Sequence, residues 1–321
     1  MFSIRVNPCT ERSDISQSAV ENQDARIRFL PTGDSRNFPH QHPTLWLNPA
    51  RFPPPSKPAS RPTPSASRFD NQGYLVLGNF LTPDHVSRLL AALDPVVARR
   101  RELTRTGAPQ TGFTQVTGKD STRVFYILDD HPLFLDLLDW PPIMPYVTAL
   151  LNPKPHHCAS DAIVAHARDF PQQQPGWHID GHDDGFRNLG RPIPLVQLKI
   201  GYYLTDMTKP GASHLMVVPG SHKAQHPPGE SSADGFLPSA VQVCAPAGSA
   251  ILFHNALWHG IGPFHPGRHR KMLYYCYEHP WMVASQEHWG YSKEFYNQHL
   301  SAERRKFFHG FVFDPPEQRW G

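Results

Sequence analysis

Pro175-Gly176-Trp177-His178-Ile179-Asp180 is the stretch from which the rest of the chain is read. On an extended strand His178 and Asp180 project from one face, because alternate side chains share a side. A neutral imidazole beside a carboxylate is two thirds of a non-haem Fe(II) site, whose two histidines and one carboxylate leave further positions open. The pair alone is a weak signal. The chain holds 20 histidines, so a His-x-Asp arises by chance about once, and a second example, His182-Asp183-Asp184, follows directly. On its own, either pair is more often a solvated surface loop. The weight comes from the sequence around it.

The chain has 321 residues, enough for one large domain or two ordinary ones. Net charge is only +3 and no stretch is densely basic, so nucleic acid is not suggested as a partner. The four cysteines, Cys9, Cys158, Cys244 and Cys276, lie far apart with no C-x-x-C pair. They read as free thiols of a reducing compartment rather than a disulfide framework or a zinc ribbon. No apolar run approaches the roughly 18 residues of a membrane-spanning helix. Residues 1–10 lack the apolar core of a signal peptide, and Arg319-Trp320-Gly321 is no peroxisomal address. The expected location is cytoplasmic, with no membrane partner and no evident protein partner.

Hydrophobic residues make up 39% of the chain, and 35 prolines locate the shortfall. Residues 1–65 are polar, then proline-rich (Pro53-Pro54-Pro55, Pro58, Pro62, Pro64). Such a segment buries too little apolar surface to offset its ordering entropy. It is expected to be a largely disordered extension, clamped locally through Leu45, Trp46 and Leu47. Residues 66–321 form the second expected unit. There Gly73-Tyr74-Leu75-Val76-Leu77 is a short β-run, and Thr82-Pro83-Asp84 starts a helix with Thr82 as its cap. Val86, Leu89, Leu90, Leu93 and Val97 continue it at helical spacing, with Pro95 expected to kink or shorten it. Arg99, Arg100 and Arg101 read as a solvated helix end. Val124–Leu128 is strand-like, and 132–138 and 142–151 read as short helices. From Ala162 onward short apolar runs alternate with Pro/Gly/Asp turns, the pattern of a sandwich or barrel. Residues 292–308 return to helix, with Glu303 to Lys306 as a solvated face.

The third ligand has seven downstream candidates: His214, His222, His226, His254, His259, His265 and His269. His259 fits best. It lies in Leu257-Trp258-His259-Gly260, and the glycine leaves backbone space beside a metal. Arg270 opens the run Met272–Tyr277, and a guanidinium there can take a carboxylate bidentately. Arg268 shares its face. His222, after Pro219-Gly220-Ser221, reads as a turn-stabilising side chain, and His254 as packing or support. Trp177, Trp258, Trp281 and Trp289 read mainly as core aromatics, though the first two abut ligands and could line a pocket. Residues 226–238 read as a loop beside the site.

Four segments in order resemble the phytanoyl-CoA dioxygenase family of Fe(II)/2-oxoglutarate oxygenases. Gly73–Val86 is similar to its opening strand and helix, Trp177-His178-Ile179-Asp180 to its W-H-x-D, Val218-Pro219-Gly220-Ser221-His222 to its V-P-G-S-H turn, and Phe253-His254 through His259-Gly260 to Arg270 to its F-H…H-G…R ending. The resemblance spans roughly residues 68–280. It implies a mainly β fold with flanking helices, a double-stranded β-helix (a cupin-like jelly roll). It implies that His178, Asp180 and His259 bind Fe(II), and that Arg270 holds the distal carboxylate of 2-oxoglutarate, with Arg123 as a second basic group. Two departures stand out: Ile261 replaces a serine that commonly follows His-Gly, and Ser249 replaces an aspartate after Gly248. The implied reaction consumes O2 and 2-oxoglutarate, releases succinate and CO2, and hydroxylates an unactivated C–H of a small organic substrate. Asp180 implies hydroxylation over halogenation, since related halogenases carry a small residue there. Two other readings compete. A cupin-like metal enzyme of another class, an isomerase or cofactor-free dioxygenase, needs no arginine at 270. A non-catalytic ligand-binding module predicts a broken ligand set.

Overall fold

The computed structural model of the protein describes residues 64–170, 174–181, 186–224, 228–282 and 291–308. The expectations for residues 1–63, for His182-Asp183-Asp184, for His226 and for Trp289 lie outside these. In chain order the elements are α1 (Pro64–Gln72), β1 (Tyr74–Leu77), α2 (Pro83–Thr106), β2 (Thr114–Thr117), β3 (Ser121–Phe125), α3 (Pro132–Leu135), α4 (Met144–Leu150) and β4 (His156–His166). They continue with β5 (Gln197–Tyr203), β6 (Leu215–Val217), β7 (Val241–Gln242), β8 (Ala250–His254), β9 (His259–Ile261), β10 (His269–Glu278) and α5 (Ala302–Arg305). A π-helical turn, Phe295–His299, precedes α5.

Among the described residues seven strands pair antiparallel in the order β1-β8-β5-β10-β4-β3-β2, and three more in the order β7-β6-β9. This is the jelly roll with flanking helices expected from the sequence. The central strands β5, β8 and β10 read as mainly apolar runs because both faces are covered. Along β8, Ala250 and Leu252 join the core under the helices, while Ile251 and Phe253 join a second core with Leu215 and Val217 of the small sheet. Leu198, Ile200 and Tyr202 of β5 and Leu273, Tyr275 and Tyr277 of β10 also face the helices. The alternate positions, Lys199 and Arg270 among them, therefore face the interior of the roll.

Thr82 caps α2 through its hydroxyl, which accepts from His85 N (3.2 Å), and Gly107 ends the helix with φ 67°. The helix runs on through Pro95 to Thr106, so of the two expected effects, a kink or a shorter helix, the proline does not produce the second. Burial of Leu89, Leu93, Val96 and Val97 outweighs one missing hydrogen bond; each fully buried leucine contributes roughly 1.5–3 kcal/mol. The arginine run also departs from a solvated helix end. Arg100 is 1% exposed and pairs with Asp130 (2.8 Å), and Arg101 Nη2 donates to the Lys119 carbonyl (2.6 Å). A buried guanidinium needs such partners, and these tie α2 to the segments on both sides of β3. The tail differs likewise: Arg304 pairs with Asp136 (2.8 Å) and Asp139 (2.9 Å), and Phe308 is buried.

His157 of β4 offers a test of this core. Its ring lies among Tyr275, Tyr277, Tyr291 and Phe308, and neither nitrogen has a partner among the described residues. Burial pushes its pKa down to about 3. The unfolded chain takes up that proton near pH 6.5. Stability is therefore complete above pH 6.5 and is lost as pH falls toward 3. His157→Phe is expected to remove on the order of 2 kcal/mol of the stability difference between about pH 7 and about pH 4.5, read by urea unfolding at both. Equal acid sensitivity in both proteins would show that His157 is not held neutral.

Candidate metal centre

The segment from Pro175 to Asp180 is fastened to the turn and strand that carry His259. His178 and His259 exchange backbone hydrogen bonds (both 2.9 Å), Ile261 N donates to Pro175 O (2.8 Å), and Asp180 N donates to Asn255 O (2.8 Å). These bonds place the two imidazoles with centroids 4.2 Å apart. Each ring is oriented by its own backbone: His178 Nδ1–H donates to Gly176 O and His259 Nδ1–H to Leu257 O, both at 2.8 Å. That tautomer leaves both Nε2 atoms free to ligate.

Asp180 completes the group. One ligand atom from each of His178, Asp180 and His259 lies within 4.8 Å of the others. Asp180 Oδ1 accepts from Lys199 Nζ (2.6 Å) and stands 3.8 Å from His259 Nε2. Its Oδ2 is buried without a hydrogen-bond partner among the described residues. Burial by itself would raise the Asp180 pKa, but the Lys199 ammonium and the two histidines together hold it below its ordinary value. Burial pushes His259 down to about 4, keeping it a neutral base. Two free imidazole nitrogens, an ionised carboxylate and an orphaned buried oxygen fit a divalent ion of borderline softness.

Gly260 answers a different need from the one expected. A Cβ there would lie 2.4 Å from the Pro175 carbonyl oxygen. The space it leaves admits the neighbouring backbone segment rather than the metal. Gly260→Ala is expected to push the Pro175–Asp180 segment off β9 and lower turnover by about 100-fold, since misplacing a site by about 1 Å costs that much. Far-UV circular dichroism should be unchanged; wild-type turnover would show that the segment moves without harm.

The group opens onto a cavity of about 530 Å³ whose charged lining residues are Arg123, Asp161, Asp180, Lys199 and Arg270. Arg270 is 6% exposed; Nη1 donates to Ser213 O and Nε has no partner among the described residues. Arg123 pairs with Asp161 (2.5 Å) and lies over the Phe125 ring. Arg268 falls in the turn before β10, where it donates to Lys209 O (3.2 Å), and does not line the cavity. Neither Trp177 nor Trp258 lines it. Trp177 donates its indole N–H to Gly235 O (2.8 Å), which puts residues 228–238 beside the site; Trp258 packs with Ile179 and Phe186, and Trp281 is 69% exposed. His222 Nε2–H donates to Asp70 O (2.9 Å) and His254 Nδ1 accepts from Ala256 N (2.9 Å), so both brace turns. The sequence reading misses Lys199. Its signal is a lone cation inside Val196–Tyr203, a run otherwise without charge.

A two-histidine, one-carboxylate group inside a jelly roll defines the class of non-haem iron oxygenases. The chain belongs to the phytanoyl-CoA dioxygenase (PhyH) family, which it matches over residues 69–272, more than half its length. Fe(II) and 2-oxoglutarate are its cofactors, and its reaction is of the dioxygenase type. Over 211 residues it is 28% identical to Dioxygenase trt7 of Aspergillus terreus (strain NIH 2624 / FGSC A1156), an overlap of 64% of this chain and 69% of that protein. Among solved structures it is similar to HygX from Streptomyces hygroscopicus, crystallised with nickel and 2-oxoglutarate (18% identity, TM-score 0.53, 71% of this chain and 90% of that one). It is also similar to SnoK, a non-haem α-ketoglutarate-dependent carbocyclase from nogalamycin biosynthesis (20% identity, TM-score 0.50, 68% and 83%). These two likenesses are of fold. Among the described residues no helix is long and apolar enough to cross a membrane.

Proposed function

We propose that the chain hydroxylates an unactivated C–H bond of a small organic substrate, with His178, Asp180 and His259 as the iron ligands. The observation that carries this reading is the oriented His178–Asp180–His259 group, with Asp180 and His259 buried, His178 half-buried and Asp180 Oδ2 unpartnered among the described residues. Bound there, Fe(II) supplies the O2-activating redox chemistry that couples decarboxylation of 2-oxoglutarate to oxidation of a C–H bond.

The chain's own residues do the rest. The Gly176 and Leu257 carbonyls fix the imidazoles so that no reorganisation is needed on binding. Arg270, buried on the inner face of β10, holds the distal carboxylate of 2-oxoglutarate with donors its own backbone partner leaves unused. Arg123, held between Asp161 and the Phe125 ring, is the second basic group of that wall. Ile261 and Phe253 close the cavity with apolar surface beside His259 and keep water from the reacting bond. The presence of Asp180, in place of a small residue, supports hydroxylation over transfer of another anion. The test is to incubate purified protein with Fe(II), 2-oxoglutarate and O2 and to measure succinate. Its absence would reject this reading in favour of a cupin-like enzyme of another class or a binding module.

A further inference from the structure

The charges on the cavity wall do not cancel. Three cations, Arg123, Lys199 and Arg270, face two carboxylates, Asp161 and Asp180. Arg123 is matched by Asp161 and Lys199 by Asp180. Among the described residues Arg270 donates only to a neutral carbonyl. The surplus cation has an evident use if Arg270 meets an anionic cosubstrate. The Lys199–Asp180 pair does not, because an iron-binding carboxylate gains from its own full charge when it holds a cation.

Lys199 stands on the inner face of β5, between Phe253 of β8 and Cys276 of β10 in the ladder. Its side chain is 28% exposed and that surface belongs to the cavity wall. The ammonium reaches Asp180 Oδ1 at 2.6 Å and leaves Oδ2 unpartnered. An apolar residue would fit this strand at lower desolvation cost.

Resting on the metal-centre reading above, we propose that Lys199 is a positioning residue that holds Asp180 through Oδ1 and balances its charge. The site thereby gives up some affinity for the metal ion and gains affinity for the anionic cosubstrate. The ammonium fixes the carboxylate plane before an ion arrives. It also repels the ion, weakening its retention. Once the ion is bound, the whole wall is more positive than it would be without Lys199, and a dianion such as 2-oxoglutarate is drawn in more strongly.

The two affinities are therefore coupled with opposite sign, which a purely structural role would not produce. Mn(II) serves as the probe, since its binding is read by electron paramagnetic resonance without turnover. Isothermal titration of the Mn(II)-loaded full-length protein then gives 2-oxoglutarate affinity. Lys199→Met is expected to bind Mn(II) about ten-fold more tightly and 2-oxoglutarate about ten-fold more weakly, the size of effect that removing one nearby unit charge has in a part-solvated site. Lys199→Arg, which keeps the charge, should stay within about three-fold of wild type on both. If the methionine variant does not fold, Lys199→Gln removes the charge at similar reach and is held to the same criterion. Affinities that fall together, or that do not move, overturn the inference. Wild-type protein that binds no Mn(II), or binds it equally well after His178→Ala, removes the metal centre itself and the inference with it. Binding that depends on His178 but ignores Lys199 leaves the centre standing and sinks only the role given to Lys199.

Discussion

Alanine at His178, Asp180 or His259 is expected to cut succinate formation by about a thousand-fold or more, while the fold persists. Partners one bond further from a metal already cost about 10–100-fold when lost, and these three residues are the proposed donors themselves. The losses should differ in kind. His178→Ala and His259→Ala each remove one nitrogen and leave the backbone exchange between the two positions intact. Asp180→Ala also strands the Lys199 ammonium in the cavity wall, which should lower the melting temperature of the metal-free protein. Metal titration should parallel the activity loss in all three. His182→Ala and Asp184→Ala are the controls, because they carry the neighbouring His-x-Asp pattern. Full turnover in His178→Ala, with loss in His182→Ala, would move the centre to that second pair.

Arg270→Ala is expected to raise the KM for 2-oxoglutarate by about 10–100-fold, the equivalent of about 1.5–3 kcal/mol for a charged hydrogen bond. The effect should sit mainly in KM, because the distal carboxylate is bound alike before and during reaction. Arg270→Lys should recover part of it, since a point charge replaces a planar fork. Arg123→Ala should matter less, because that guanidinium is already matched by Asp161. Arg268→Ala should be close to wild type, its side chain being engaged with the Lys209 carbonyl outside the cavity. A series in which Arg268 is the sensitive residue would place the carboxylate pocket elsewhere.

The strands of the roll are legible where both faces are buried, because a continuous apolar run is then unmistakable. Gln197–Tyr203, Ala250–His254 and His269–Glu278 overlap the runs Leu195–Leu204, Ala250–Phe253 and Met272–Tyr277, the last strand starting three polar residues earlier. Strands β2 and β9 are not legible in the same way. Thr114–Thr117 is polar and half solvated, and His259–Ile261 is too short to show a period. The arginines of α2 mislead for a related reason. A run of three cations reads as solvated until Asp130 and the Lys119 carbonyl, remote in sequence, are brought to it. The same limit hides Lys199, whose partner Asp180 lies on a different segment. His178, Asp180 and His259 can be singled out because each sits in a short local pattern. What no pattern records is the depth at which they meet.

The backbone exchange between His178 and His259 also constrains traffic. The two residues that offer ligand nitrogens are the same two whose amides lock their segments together. Peeling the Pro175–Asp180 segment from β9 would dismantle the centre in the same motion. That wall of the cavity cannot part without taking the centre with it. The solvent-facing Gln115 of β2, with the half-buried Thr117, marks one place where the lining meets the outside.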